Sequence, residues 1–137
     1  MELTRLDGVN VLFVDDRRDA RFVVDHILRD AGADVTLLAN GQEAVELVNN
    51  QSLAATSFDV LVMDVNMPIL DGLTATRRLR SQGYRVPILA LTTGSMEEDR
   101  RECLEAGCDE FLSKPIDGER LVELVHQLAQ LERSQSL

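Results

Sequence analysis

The sequence contains a short apolar run that ends in a single carboxylate, Val60–Asp64 (VLVMD). Apolar runs of this length, bounded by turn-forming residues, are typical of strands that are buried on both faces of a parallel sheet. A second run, Val9–Val14 (VNVLFV), is followed directly by Asp15 and Asp16. If the two strands are parallel neighbours, three carboxylates meet at one edge of the sheet. This pair of runs constrains the fold more than any other feature of the sequence.

Five apolar segments alternate with five segments that have the periodicity of amphipathic helices. Strands are predicted at 9–14, 34–38, 58–63, 86–91 and 110–112, and helices at 20–31, 40–49, 73–80, 95–106 and 117–131. This alternation predicts a doubly wound α/β fold, with a parallel sheet and helices on both of its faces. The polar segment 50–57 is predicted to be a loop. The fourth helix is expected to pack least firmly, because Arg100 and Arg101 interrupt its apolar stripe.

Distinctive polar residues follow the predicted strands at the point where each strand ends. They are Asp15, Asp16, Asp64, Thr92 and Lys114. In doubly wound folds, ligands bind beyond the carboxyl ends of the strands. Chance would distribute these residues over both edges of the sheet. Their position at a single edge therefore predicts a functional site there.

The composition restricts the classes of function that the chain can have. A length of 137 residues predicts one domain over 1–137, with a core at about 8–131 and a frayed tail at 132–137. The net charge of −10 argues against nucleic acid or an anionic membrane as a direct partner. The sequence contains no membrane-length apolar span and no signal-peptide pattern, so we expect a cytoplasmic protein. Cys103 and Cys108 lack metal-ligand spacing and are expected to be free thiols.

The predicted edge combines residues that suit phosphoryl transfer. Carboxylates about 5 Å apart repel by roughly 3 kcal/mol per pair at an effective dielectric near 20. A divalent cation would relieve the repulsion among Asp15, Asp16 and Asp64, and Mg²⁺ prefers oxygen ligands of this kind. Lys114, the only lysine among 14 basic residues, and the Thr92 hydroxyl suit phosphoryl oxygens. The set predicts a phosphoryl-transfer site with Asp64 as nucleophile, and a plain ion-pair network is the alternative.

Four motifs, in this order, resemble those of a response-regulator receiver domain. They are Val14–Asp16 (VDD), Met63–Gly72 (MDVNMPILDG), Ala90–Thr92 (ALT) and Phe111–Pro115 (FLSKP). The resemblance covers residues 8 to 131, approximately, and implies a flavodoxin-like fold with five parallel strands in the order 2-1-3-4-5 and five helices. The segments 71–80 and 99–107 are similar to those of receivers from hybrid sensor histidine kinases. The implied function is that of a receiver in a two-component system or phosphorelay.

The resemblance also implies a role for each residue of the site. Asp64 would accept a phosphoryl group from a phosphohistidine of a histidine kinase or a histidine-phosphotransfer domain. Asp16 and Asp64 would bind Mg²⁺ directly, Asp15 through water, and Asn66 through its backbone carbonyl. Lys114 would pair with the acyl phosphate. Such a chain is not an enzyme in the usual sense, although it catalyses its own phosphorylation and dephosphorylation.

The family's conformational switch corresponds here to Thr92, which would move to bind the phosphoryl group, and Phe111, whose ring would turn inward. Simple core packing is the alternative role for Phe111. A cis peptide bond is expected before Pro115. The fourth helix, the fifth strand and the last helix would form the output surface, for a partner or for a second copy of the chain. Thr93 stands where the family usually has a smaller residue, and its bulk would narrow access to the phosphoryl group.

Other proteins of this architecture fit the sequence less well. A phosphatase of the haloacid dehalogenase type requires a second acid two residues after the nucleophile, where this chain has Asn66. A nucleotide- or flavin-binding domain requires a Gly-, Ser- or Thr-rich loop after the first strand, where the chain has Asp15–Arg18. A receiver used only for docking would lack part of the acid, threonine and lysine set. Met1 and the compact length favour a stand-alone regulator, whereas the helix patterns favour a hybrid kinase.

Overall fold

The parallel sheet has the strand order that the resemblance implies. The computed structural model describes residues 4–49, 58–67, 70–94 and 97–135. Within these ranges the strands are β1 (Asn10–Val14), β2 (Asp34–Leu38), β3 (Val60–Asp64), β4 (Ile88–Thr92) and β5 (Glu110–Ser113). They form one sheet in the order β2-β1-β3-β4-β5, with every neighbouring pair parallel. The predicted fold class and strand order are confirmed.

Helices cover both faces of the sheet. In the described ranges they are α1 (Arg18–Asp30), α2 (Gly41–Asn49), α3 (Gly72–Ser81), α4 (Glu97–Ala106) and α5 (Gly118–Gln135). Helices α1 and α5 pack on one face through a cluster that includes Val24, Leu28 and Leu121. Helices α2, α3 and α4 pack on the other face. None of the described helices combines the length and the apolar character needed to cross a membrane.

The central strands are buried on both faces, which explains their continuous apolar sequences. In β3, Val62 faces the cluster under α1 and α5, and Leu61 and Met63 face the cluster under α2, α3 and α4. All five residues of this strand are buried. Burying one such side chain contributes about 1.5–3 kcal/mol, so these strands hold the residues at their ends in fixed positions.

Strand β1 begins one residue later than its apolar run predicts, and β3 and β4 each begin two residues later, because hydrogen bonding and not hydrophobicity defines a strand. The run that begins at Phe58 enters the sheet only at Val60, after the Asp59 carboxylate accepts a hydrogen bond from the N–H of Asn10 (2.8 Å). The run that begins at Val86 enters at Ile88. Pro87 has no N–H to donate, and the Val86 carbonyl accepts from the Arg80 guanidinium (2.9 Å) instead.

Polar side chains cap the starts of three helices. Asn40 accepts from the N–H of Glu43 (2.9 Å) at the start of α2, and Asp117 accepts from the N–H of Glu119 (3.0 Å) at the start of α5. Asp71 caps α3 by accepting from the N–H of Thr74 (2.9 Å), so that α3 begins at Gly72, one residue before its predicted start. Ser95, where the fourth helix is predicted to begin, and the loop predicted at 50–57 lie outside the described residues.

Helix α4 buries little of its surface. Cys103 and Ala106 are its buried residues in the described range, which agrees with its weak apolar stripe. Cys103 and Cys108 are both buried free thiols, and burial raises the pKa of Cys108 to about 12. Helix α5 continues to Gln135, beyond Leu131, where the apolar pattern ends.

Candidate functional site

The pairing of β1 with β3 brings the three carboxylates together. Val14 pairs with Met63, so Asp15, which follows β1, and Asp64, the last residue of β3, lie side by side. One carboxylate oxygen from each of Asp15, Asp16 and Asp64 lies within 4.8 Å of the other two. Asp15 and Asp64 are fully buried and Asp16 is half-buried. The cluster predicted from the two strand ends is therefore present.

The cluster leaves several buried oxygen atoms without hydrogen-bond partners. They are Asp15 Oδ2, Asp16 Oδ1 and Asp64 Oδ2. Buried polar atoms almost always have a partner, and an unsatisfied one costs about 1–3 kcal/mol. The three residues that carry these atoms also bring one carboxylate oxygen each within 4.8 Å of the other two, and carboxylate oxygens grouped in this way are the donor set that a hard divalent cation binds. The residues present therefore fit a Mg²⁺ site.

Burial perturbs the pKa of the Asp15 carboxyl. Burial raises its pKa above the ordinary value, and the negative charge of Asp64 raises it further. The backbone N–H of Arg17, which donates to Asp15 Oδ1 (2.9 Å), offsets part of this effect. Desolvation and like charge thus both disfavour the ionised form of Asp15, and a bound cation would favour it.

Lys114 holds one oxygen of Asp64 and leaves the other free. Its ammonium donates to Asp64 Oδ1 (2.8 Å) and is largely buried. The backbone N–H of Asn66 reaches the same oxygen (3.3 Å). Lys114 directly follows strand β5. The backbone N–H of Lys114 donates to the carbonyl oxygen of Thr92 (2.8 Å) at the end of the β4–β5 ladder, and this bond positions the residue. The Lys114–Pro115 peptide bond is cis.

Thr92 lies at the end of β4 with its hydroxyl bonded to its own loop. The side chain is buried, and Thr92 Oγ1 accepts from the N–H of Gly94 (3.1 Å). Phe111 is half-buried on β5, where it pairs with Ala90 and packs against the cluster beneath α2, α3 and α4. The ring is thus already part of the core packing in this conformation.

Two features of the site were not predicted from the sequence. The side chain of Asn66 joins the loop after β3 to the loop after β4, since its Oδ1 accepts from the N–H (3.2 Å) and the hydroxyl (3.4 Å) of Thr93. Gly72 lies so close to Asp64 that a Cβ at this position would overlap the Asp64 carbonyl oxygen. The only signals in the sequence were the unusual Thr93 and the Asp71–Gly72 pair.

The comparisons with known proteins agree with this geometry. The family model of the response regulator receiver domain matches residues 11–126. The chain belongs to this family and is a receiver domain of the kind found in two-component systems.

Two curated relatives illustrate the range of proteins that contain such a domain. The chain is 37% identical over 134 residues to probable histidine kinase 2 of Oryza sativa, covering 88% of this chain and 13% of the kinase. It is 32% identical over 120 residues to two-component response regulator 24 of Arabidopsis thaliana, covering 88% of this chain and 84% of the regulator. The chain thus spans a small fraction of the histidine kinases that it matches.

A solved structure shows the same fold with a metal ion bound. It is the receiver domain of a sensor histidine kinase from Pseudomonas aeruginosa, with a magnesium ion coordinated in its active-site cleft. The sequences are 36% identical, the TM-score is 0.77, and the match covers 90% of this chain and 98% of the other.

Proposed function

We propose that the chain accepts a phosphoryl group on Asp64 in a Mg²⁺-dependent reaction and changes conformation in response. The observation that carries this proposal is the asymmetry of the Asp64 carboxylate. Its Oδ1 is bound by Lys114, whereas its Oδ2 is buried without a partner among unpartnered oxygens of Asp15 and Asp16. A plain ion-pair network would not leave three buried carboxylate oxygens unsatisfied.

The proposed step is an in-line transfer from a phosphohistidine. The Asp64 carboxylate attacks phosphorus, the bond from phosphorus to the imidazole nitrogen breaks, and the imidazole takes a proton from solvent. Asp15, Asp16 and Asp64 would hold Mg²⁺ together with the backbone carbonyl of Asn66. The ion neutralises charge on the transferring phosphoryl oxygens. Lys114 keeps Asp64 oriented and pairs with the phosphoryl group once it is attached.

The proposed conformational change starts at Thr92. A movement of its hydroxyl towards a phosphoryl oxygen would disturb the hydrogen bond that the hydroxyl accepts from the N–H of Gly94. Phe111 lies on the neighbouring strand β5, where it pairs with Ala90, two residues before the Thr92–Ser113 pair. We propose that its ring follows the loop. We propose that the face formed by α4, β5 and α5 transmits this change to a partner or to a second copy of the chain. The small buried surface of α4 supports this choice.

The relatives support a histidine kinase or a histidine-phosphotransfer domain as the phosphodonor. They include large histidine kinases and short response regulators, so both a hybrid kinase and a stand-alone regulator are candidate contexts. We propose that the domain acts in the cytoplasm. Its chemistry would be limited to catalysing its own phosphorylation and dephosphorylation.

Intact mass spectrometry after incubation with acetyl phosphate and Mg²⁺ tests the proposed acceptor. The chain should gain the mass of one phosphoryl group, and Asp64→Asn should abolish this gain. Asp34→Asn is a matched control, because Asp34 is exposed at the start of β2, at the other end of the sheet. Full labelling of Asp64→Asn at the wild-type rate would show that another residue is the acceptor.

A further inference from the structure

Helix α1 begins with two arginines at the end of a helix that disfavours positive charge. Arg17 is the N-cap residue and makes no capping hydrogen bond with its side chain, and Arg18 is the first helical residue. N-caps are usually Ser, Thr, Asp or Asn. A cation near a helix N-terminus opposes the helix dipole, an effect of about 0.3–1 kcal/mol for each charge. The helix itself therefore gives no reason for these two residues.

Ion pairs with the acid cluster do not explain why Arg17 and Arg18 are present. The Arg17 Nε lies 3.8 Å from Asp15 Oδ1, beyond hydrogen-bond distance, and the Arg17 side chain is 52% exposed. Asp15 is buried, but solvent screens the exposed guanidinium and no hydrogen bond joins the two side chains, so this ion pair contributes little to stability. Arg18 is exposed and forms no ion pair within the described part of the chain. Arg21 differs, because it donates to the Asp15 carbonyl (2.7 Å) and so supports the backbone.

The charge of the acid cluster indicates a role for Arg17 and Arg18 in attracting an anion. Asp15, Asp16 and Asp64 carry three negative charges, and Lys114 carries one positive charge. A divalent cation would bring this set to neutrality and no further. A phosphodonor is an anion, and it approaches a chain whose net charge is −10. Without additional positive charge at the entrance, the electrostatic field of the whole molecule would slow its approach.

We propose that Arg17 and Arg18, which directly follow Asp15 and Asp16 in the chain, form a docking site beside the acid cluster for the anionic phosphoryl group of the donor. This inference rests on the proposed function, since it concerns the substrate of the same reaction. The class of ligand is a phosphoryl anion carried by an acyl phosphate or by a phosphorylated nitrogen. With acetyl phosphate, the bond between phosphorus and the acetyl oxygen breaks, acetate leaves with the electron pair, and Asp64 forms the new bond to phosphorus.

The rate of Asp64 phosphorylation as a function of acetyl phosphate concentration, at fixed Mg²⁺, tests the docking site. Arg17→Gln and Arg18→Gln should each raise the half-saturating concentration by about three- to tenfold, within the range of electrostatic steering effects, and leave the maximal rate unchanged. The dependence of the rate on ionic strength should also become weaker. Arg17→Lys should retain most of the wild-type behaviour, because the proposed effect depends on charge and not on a hydrogen-bonded fork.

A matched variant separates a local effect from a change in net charge. Arg78→Gln removes the same charge from an exposed position on α3, and it should leave the half-saturating concentration at the wild-type value. An equal rise in Arg78→Gln would overturn the docking site, and so would unchanged half-saturation in Arg17→Gln and Arg18→Gln. A fall confined to the maximal rate would also overturn it, because the arginines would then act on the transition state.

Two further measurements distinguish the possible outcomes: a comparison of two phosphodonors and a melting experiment. Acetyl phosphate is a dianion and phosphoramidate carries a single net negative charge at neutral pH, so the loss should be larger with acetyl phosphate. An equal loss with both donors would contradict an electrostatic role.

The melting temperature provides a second control. The Mg²⁺-induced rise in melting temperature should remain in Arg17→Gln, and this result would show that the acid cluster is intact. If wild-type Asp64 takes up no phosphoryl group, the proposed function fails. If wild-type Asp64 is phosphorylated and the arginine variants have the same half-saturating concentration as wild type, only the docking site fails.

Discussion

Lys114 shows how geometry and charge can be separated at a single residue. Its compact ammonium donates to Asp64 Oδ1 (2.8 Å) in a largely buried position, in a chain whose other basic residues are all arginine. A guanidinium is wider and planar, so equal charge does not give equal fit. Lys114→Arg should keep the fold but slow phosphorylation of Asp64 by tenfold or more, roughly 1.4 kcal/mol of lost stabilisation.

The measurement for Lys114→Arg is the initial rate of phosphorylation with acetyl phosphate, followed by intact mass. Arg78→Lys is the control, since it makes the reverse exchange at an exposed position on α3. Unchanged kinetics in Lys114→Arg would mean that Lys114 only balances charge, and the role assigned to its ammonium would then be wrong.

The sequence predicts the residues that lie at strand ends better than the contacts between loops. The positions of Asp15, Asp64 and Lys114 follow from apolar runs that must be buried, so the acid cluster could be predicted. The contact between Asn66 and Thr93 depends on the conformations of two loops, which no periodic pattern encodes. Hydrophobic periodicity reports burial, and loop conformation depends on tertiary contacts that a single sequence does not display.

For whole elements, the apolar runs of the sequence predict that a strand is present. They do not predict which residue of the strand is the first to pair. The late starts of β3 and β4 depend on Asp59, Arg80 and Pro87, which redirect or remove backbone hydrogen bonds. The strand order came from the family resemblance, because the alternation of strands and helices is compatible with several orders. The caps of α2 and α5 were predictable, since a capping side chain and the N–H groups that it accepts from are only a few residues apart.

Helix α4 and strand β5 are the elements that should respond to phosphorylation. Helix α4 has few buried side chains, and it follows the loop in which Gly94 donates to Thr92. In the proposed switch, a rearrangement of Thr92 would weaken that bond and shift the equilibrium between two packings of this face. We expect amide hydrogen exchange to change in α4 and β5 when beryllofluoride and Mg²⁺ are added.

Helix α2 is the internal reference for the exchange experiment, because it packs on the same face of the sheet as α4 but follows β2, away from the Thr92 loop. Its exchange should stay constant. Changes restricted to α1 and α2 would place the output surface elsewhere. Asp64→Asn should show no change in any element, which links the response to the site.

The acid cluster affects the stability of the whole molecule, because its charges are buried only in the folded state. Any ligand that binds the folded chain alone stabilises it, by roughly 1.4 kcal/mol when its concentration is ten times the dissociation constant. Millimolar Mg²⁺ should therefore raise the melting temperature, and a chelator should reverse the rise. An unchanged melting temperature across the titration would contradict a metal site at Asp15, Asp16 and Asp64.

Asp15 provides the sharpest test of this linkage. Folding raises the pKa of this carboxyl above its ordinary value of 3.8, so the folded state binds its proton more tightly than the unfolded state does. Stability is therefore lost as the pH rises from 3.8 through the folded pKa, and the full cost is present above the folded pKa. Asp15→Asn removes that cost. The metal-free variant should melt higher than wild type at pH 7, by about 4 °C for each kcal/mol recovered.

The advantage of Asp15→Asn should shrink as the pH falls towards 3.8, because wild-type Asp15 then takes up its proton in the folded state. The variant should also gain less from Mg²⁺, since it has lost one carboxylate of the donor set. Asp34→Asn serves as the control, because it removes the same charge from an exposed strand end. Thermal melts of the three proteins, with and without Mg²⁺ across this pH range, provide the measurement. If Asp15→Asn instead melts lower than wild type in the absence of metal, its carboxylate supports the fold through contacts other than the repulsion inferred here.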